Sequence, residues 1–188
     1  FAGCKSLEAI AIPDSVTSIG KGAFSACNSA LYDTKTISGM TLVDGWVIDC
    51  NDSYSGDLDL TGIRGIADYA FQYCSNLTSV TIGNSVTSIG YHVFYGCSSL
   101  TSITFPKSLT GIDKNAFSGS AWLDEELNEN DYIVINGRLI AANPKIASIT
   151  IPNTVTEIGG EAFRSCHNLT SITIPDTVTS IAWQAFEY

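Results

Sequence analysis

Basic residues are scarce in this sequence. Nine Lys and Arg stand against nineteen Asp and Glu in 188 residues, a net charge of −10. That balance repels phosphate backbones and anionic lipid surfaces, so no nucleic-acid partner is expected. Long apolar runs are missing too: none approaches the roughly 18 residues of a membrane-spanning helix, and no membrane insertion of this segment is expected. Histidine is limited to His92 and His167, and the six cysteines contain no C-x-x-C spacing. A zinc centre lacks its ligand cluster, and a nucleophile lacks a neighbouring base. Neither a catalytic residue, a metal site nor a cofactor is therefore expected, and the chain reads as no enzyme. No initiating Met is present either. The chain opens on "FAGC" and closes on "AWQAFEY", both in mid-phrase, as a fragment of a longer array would.

Repetition is what the sequence has in abundance. Phe1, Phe24, Phe71, Phe94, Phe117, Phe163 and Phe186 lie 23, 47, 23, 23, 46 and 23 residues apart. Every gap is one or two periods of 23, within one residue, and Phe105 alone falls outside the register. Around the anchors a phrase recurs: "LTSVTIGNSVTSIGYHVFYGC" at 77–97, "LTSITFPKSLTGIDKNAFSGS" at 100–120 and "LTSITIPDTVTSIAWQAFEY" at 169–188. A fixed period of this length means a solenoid.

Each unit can be read physically. Its first half alternates apolar and polar residues, as in Leu77, Val80 and Ile82, or Leu169, Ile172 and Ile174, which predicts a short strand with one buried face. Pro13, Gly83, Pro106, Pro152 or Pro175 then ends the strand. A second short extended piece follows ("SVTSIG"), with Val86 and Ile89 inward. The "AF" pair closes the coil with Phe in the core. No unit can bury its apolar face alone, so neighbours must stack into a continuous parallel sheet and core.

The phrase "LTSITIPxxVTSIGxxAFxxC" resembles the leucine-rich repeats of the BspA type, the treponemal class, over essentially the whole chain. The resemblance implies a mainly β repeat solenoid. It would be a right-handed superhelix of about eight 23-residue units in one domain, 1–188, with one short parallel strand per regular unit. It also implies an extracellular or cell-surface, secreted bacterial protein of adhesive function, expected to be a monomer. Its partner would be a protein or glycan of a host or neighbouring cell. The alternative is a structural spacer presenting another domain. The family shares no catalytic residues to carry over.

The cysteines fit the same register. Cys4, Cys27, Cys74, Cys97 and Cys166 each lie three residues after an anchor Phe, and Ser120 fills that slot after Phe117. A slot that takes Cys or Ser predicts a small buried side chain bonding to turn backbone. Stacked side chains pointing one way are poorly placed for disulfides, so the thiols are expected to be free. Phe24, Phe71, Phe94, Phe117, Phe163, Phe186, Cys27, Cys74, Cys97 and Cys166 form the structural ladder. Counting forward from Cys27 puts Cys50 in the slot, and counting back from Cys74 puts Asn51 there; comparison of the two irregular units favours Asn51, which would leave Cys50 beside the ladder and more exposed.

The two double gaps hold irregular units, at about 28–51 and 121–143. Each contains a turn signal between apolar runs, Asp44-Gly45 in "LVDGWVIDCN" and Asn136-Gly137 in "VINGRLIAAN". Both dipeptides accept positive φ, which predicts a β-hairpin in each unit. In the second, "AWLDEELNEND" predicts a short helix with Trp122, Leu123 and Leu127 inward and Asp124, Glu125 and Glu126 at its N-terminus. In the first, "NSALYDTKTISGMT" shows no clear period.

Candidate sites are few. The acidic run Asp124–Asp131 and the loop "DCNDSYSGDLD" at 49–59 have oxygens that could meet a cation, but the loop departs from the calcium pattern at Gly56 and Leu60. "NDS" at 51–53 and "NLT" at 76–78 and 168–170 match glycosylation sequons. The strand faces carry hydroxyl ladders: Thr78, Ser79 and Thr81 beside Thr101, Ser102 and Thr104, then Thr170, Ser171 and Thr173. The variable positions flanking the anchors are the richer surface. There Tyr69, Tyr73, Tyr91, His92 and Tyr95 form the expected partner-binding columns, beside Asp68, with Trp183 and Tyr188 recurring later. Other units hold Gly22, Lys114, Asn115 and Gly160. Aromatic side chains of this kind suit protein or sugar recognition.

Overall fold

The computed structural model describes all residues but Asp52, Lys114 and Tyr188. The first half of the chain forms β1 (Met40–Val43), β2 (Trp46–Cys50), β3 (Gly56–Leu60), β4 (Gly65–Ile66), β5 (Leu77–Ile82), β6 (Ser88–Ile89), β7 (Ser102–Thr104) and β8 (Gly111–Ile112). The helix α1 (Ala121–Glu129) follows, then β9 (Tyr132–Ile135), β10 (Arg138–Ala142), β11 (Ser148–Thr150), β12 (Glu157–Ile158), β13 (Ser171–Thr173) and β14 (Ser180–Ile181).

The chain winds as a β-solenoid of about six turns with little helix. Six regular coils, closed at Phe24, Phe71, Phe94, Phe117, Phe163 and Phe186, and two irregular units account for the eight units counted along the sequence. Among the described residues, the regular coils closed at Phe71, Phe94, Phe117, Phe163 and Phe186 contribute two strands each, where one was expected, and the coil closed at Phe24 contributes none. The "LTSITI" halves stack in parallel as β3-β5-β7 and β11-β13, and the second extended pieces form two-residue strands of their own, such as β6 with β8. Register is in phase, with Val80 opposite Ile103 and Ile149 opposite Ile172. Like residues therefore stack on like.

The return side is held by a second backbone ladder. Tyr69, Phe71 and Tyr73 donate N–H to the carbonyls of Tyr91, Val93 and Tyr95 at 3.0, 3.0 and 2.8 Å, and Phe94 and Gly96 repeat the pattern onto Ala116 and Ser118. The positions two before and two after Phe24, Phe71, Phe94, Phe117 and Phe163 have positive φ, as at Gly22 and Ala26, His92 and Gly96, Asn115 and Gly119, Glu161 and Ser165. The Phe rings stack inside this corner, Phe71 on Phe94 at 5.2 Å and Phe94 on Phe117 at 5.7 Å between centroids.

Both irregular units carry the expected hairpins, β1-β2 and β9-β10, each with a bulge. Asp44, Gly45, Asn136 and Gly137 all have positive φ, the requirement of a type I′ turn. The hairpins stay stacked, β2 on β4 and β10 on β12 in parallel. Their turn residues reach back to the preceding coil: the Asp44 carboxylate accepts from Ile12 N–H at 2.7 Å, and the Asn136 amide donates to Pro106 O and Leu109 O at 3.0 and 2.8 Å. Ser120 caps α1 through Leu123 N–H, Trp122 is buried, and Leu123 and Leu127 pack against the core. In the first unit a 3₁₀ turn over Ser29–Leu31 stands where the strand would be. With α1 in place of the first-half strand in the second unit, the hydroxyl ladder is cut between β7 and β11.

Candidate functional site

All six thiols are free. The slot works as a backbone-bonding column: Cys97 Sγ donates to Phe71 O and Cys27 Sγ to Phe1 O, both at 3.1 Å, and Cys166 Sγ makes a looser contact to Asn143 O at 3.8 Å. Cys74 and Cys97 are buried, whereas Cys4, Cys27 and Cys166 are only half-buried. The Cys50 expectation is corrected. Cys50 is 4 % exposed and packs with Cys74, while Asn51 faces solvent and caps a turn through Ser53 N–H at 2.9 Å. The pleat of β2, rather than a Phe corner, sets which way residue 50 points.

Burial pushes the Cys97 thiol up to about 12, and the contact with Cys74, together with burial, pushes the Cys50 thiol up as well. A thiolate is the reactive form, so these thiols are inert in the folded chain. With an aromatic disulfide reagent at pH 8, we expect Cys4 and Cys27 to react first, Cys50, Cys74 and Cys97 only on unfolding, and six thiols in denaturant. Fewer than four in denaturant would overturn the free-thiol assignment.

The aromatic residues named from the sequence come together as one ring cluster on the return side. Tyr91 stacks on His92 at 3.9 Å, His92 on Tyr95 at 4.4 Å, and Tyr69 meets Tyr91 and His92 edge-on at 5.4 and 5.2 Å. Tyr73 meets Tyr95 edge-on at 5.6 Å and is 60 % exposed; the others are half-buried by one another. Three of these five occupy left-handed backbone: Tyr69 (φ 64°), Tyr73 (φ 63°) and His92 (φ 55°). Such φ values disfavour bulky side chains. Trp183 sits in the last coil, 74 % exposed. Lys114 and Tyr188 lie outside the described residues.

The sequence did not reveal two clefts on the return side, the first of them bordered by Tyr69 of this cluster. Each irregular unit lacks an "AF" corner, so the return column has a gap there. The first cleft, about 450 Å³, lies between the corners at Phe24 and Phe71 and is lined by Lys21, Tyr32, Ile48, Asp49, Asp68 and Tyr69 among others. The second, about 210 Å³, lies between the corners at Phe117 and Phe163 and is lined by Asn115, Leu127, Arg138, Glu161 and Arg164 among others. The linings correspond by register: Ala23-Phe24-Ser25 answers to Ala116-Phe117-Ser118, and Tyr69 to Glu161, each two before its Phe. The double gaps between anchors were the available signal.

Both clefts are strapped by a cation of the chain itself. Lys21 Nζ sits 4.2 Å from the centre of the Tyr69 ring and donates to Gln72 Oε1 at 3.1 Å. In the second cleft Arg164 bonds Glu161 Oε2 at 2.9 Å and Asn115 Oδ1 at 3.3 Å, and Asn115 donates to Glu161 at 3.1 Å. Asp68 accepts from Tyr91 N–H at 3.0 Å; burial nonetheless holds its carboxyl above the usual carboxylate range. Among the described residues no group of three His, Cys, Asp or Glu could hold a metal ion. The calcium-like loop resolves into a turn at Asn51 and the strand β3.

A family model described as the BspA type leucine-rich repeat region matches in six copies over residues 1–51 and 64–188. No curated protein matches the chain. Among solved structures, a leucine-rich cell surface protein from Faecalibacterium prausnitzii is similar at 24% identity and a TM-score of 0.47, over 93% of this chain and 49% of that one. The T. pallidum leucine-rich repeat protein is similar at 24% identity and a TM-score of 0.43, over 76% and 58%. The pneumococcal vaccine antigen PcpA is similar at 15% identity and a TM-score of 0.49, over 89% and 42%. The chain thus spans about half the length of these structures.

Proposed function

Since the chain belongs to the BspA-type leucine-rich repeat family, we propose that it is a recognition module of a cell-surface protein, binding a protein or glycan partner through the return side of its solenoid. The single observation that carries this reading is the placement of Tyr69, Tyr73 and His92 at left-handed backbone positions. Elsewhere those positions hold Gly22, Gly96 and Gly119, the short Ala26, Asn115 and Ser165, and the longer Glu161 and Gln184, none of them aromatic. Backbone strain of about 1–3 kcal/mol per residue persists where something else selects the side chain. Rings packed into one surface cluster supply contact area at low entropy cost. The names of the similar structures, a cell surface protein and a vaccine antigen, agree with a surface location.

The test measures binding of the purified chain to intact cells, a glycan array and a panel of extracellular proteins. Tyr91→Ala with Tyr95→Ala is expected to lower binding at least ten-fold. Tyr73→Gly is expected to lower binding while leaving stability unchanged or raising it by up to about 1 kcal/mol, because glycine accepts positive φ freely. Binding unchanged in both variants would favour the spacer reading, in which the rings only cover one another.

A further inference from the structure

We propose that the wider cleft, between the corners at Phe24 and Phe71, takes a basic side chain, an ammonium or guanidinium group, from a partner protein. The volume points to this cleft: about 450 Å³ falls among pockets that hold ligands, which begin near about 300 Å³, whereas the second, about 210 Å³, does not. Its chemistry is that of a cation site, with a tyrosine face at Tyr69 and two carboxylates, Asp49 and Asp68, among its lining. The chain demonstrates the fit, since its own Lys21 ammonium rests on the Tyr69 ring.

The equivalent position in the second cleft is also met by a cation. There a guanidinium is locked by Glu161 and Asn115 together, and the space is half as large. In the first cleft Lys21 is exposed and has one hydrogen bond to Gln72 and one ring contact, an arrangement that an incoming cation can displace. Lys21 is thus an internal competitor at the mouth of the site. The net charge of −10 draws a basic segment toward the chain before contact.

This inference rests on the return side being the recognition surface, but its test is separate from that of the tyrosine pair. The full chain, isotope-labelled, is titrated with N-acetylarginine methylamide and with its neutral isostere, N-acetylcitrulline methylamide, while the backbone amides are followed by NMR. The charged compound is expected to give saturable shifts at Lys21, Ala23, Asp68 and Tyr69, at least five-fold tighter than the neutral one. Lys21→Met, which keeps the stem and removes the competitor, is expected to tighten binding about three-fold or more. Asp68→Asn, which retains an acceptor for Tyr91 N–H, is expected to weaken it by a similar factor. Equal binding of the two compounds, no gain from Lys21→Met, or shifts scattered over the acidic helix instead of the cleft would each overturn the proposal. Failure here with loss of binding in the Tyr91 and Tyr95 variant would reject the cleft and keep the aromatic surface.

Discussion

Phe94→Ala is expected to destabilise the chain by about 3–5 kcal/mol, the range for truncating a fully buried aromatic ring. Phe94 is 0 % exposed and its ring lies between two others, Phe71 at 5.2 Å with planes 7° apart and Phe117 at 5.7 Å with planes 5° apart. The cost has two parts. The ring's transfer from water and its cavity are lost, and so are two aromatic contacts worth about 0.5–1.5 kcal/mol each. In a solenoid each coil touches only its neighbours, so the damage falls on both interfaces of one coil. The control is Phe186→Ala. That ring is 44 % exposed and stacks on Phe163 at 4.9 Å, and its removal is expected to cost less than about 2 kcal/mol. Urea denaturation of the two variants measures the difference. Equal costs would mean that the Phe column is not the continuous core that the stacking describes.

Most of this architecture was legible because a solenoid writes the same short instruction many times. The anchors at Phe71, Phe94 and Phe117 gave the period, and the in-register pairing of Val80 with Ile103 is what that period requires. The hairpins were legible for a local reason: Asp44-Gly45 and Asn136-Gly137 accept positive φ at consecutive positions, and both do so. The helix was legible from Trp122, Leu123 and Leu127 and the acidic residues Asp124, Glu125 and Glu126; that Ser120, read only as the cysteine-slot residue, caps it was not. What the repeat phrase could not supply is what happens where it fails. Cys50 was misplaced because the count was taken back from Cys74, where the interval is 24 rather than 23; the count forward from Cys27 lands on residue 50, which the pleat of β2 turns inward. The clefts were invisible because they consist of a missing corner, and the space left depends on how closely the neighbouring coils approach. The ring cluster was foreseen as a set of residues. Its backbone conformation was not, since the repeat phrase carries no sign that Tyr69, Tyr73 and His92 stand where φ is positive.

The same distinction between phrase and neighbour predicts that Gly83→Pro destabilises the chain by about 1–3 kcal/mol, the usual cost of overpacking. Reasoning from the repeat alone says the opposite. Four coils carry proline at this place, Pro13, Pro106, Pro152 and Pro175, and each accepts from an N–H three residues on, as Gly83 does from Val86 at 3.1 Å. Proline there would ordinarily add about 0.4–1 kcal/mol by restricting the unfolded chain. The obstacle is the coil before it. Leu60 pairs with Ile82, yet only Thr61 and Gly62 separate Leu60 from Ile63, where three residues separate Ile82 from Val86. The shortened turn is drawn against Gly83: a Cβ there would lie 2.6 Å from Thr61 Cα and carbonyl O and 2.8 Å from Leu60 O. All three are backbone atoms that cannot rotate aside, and Gly83 is buried. Thermal unfolding of Gly83→Pro beside Gly83→Ala is the measurement, and both are expected to melt below the parent chain. If Gly83→Pro melts higher, the tight turn at Leu60–Ile63 yields, and the repeat phrase outweighs its neighbour. If both melt lower, the glycine is there because the preceding coil is one residue short. Restoring that residue after Thr61 is then expected to make Gly83→Pro tolerable, a coupling between two coils that neither phrase contains by itself.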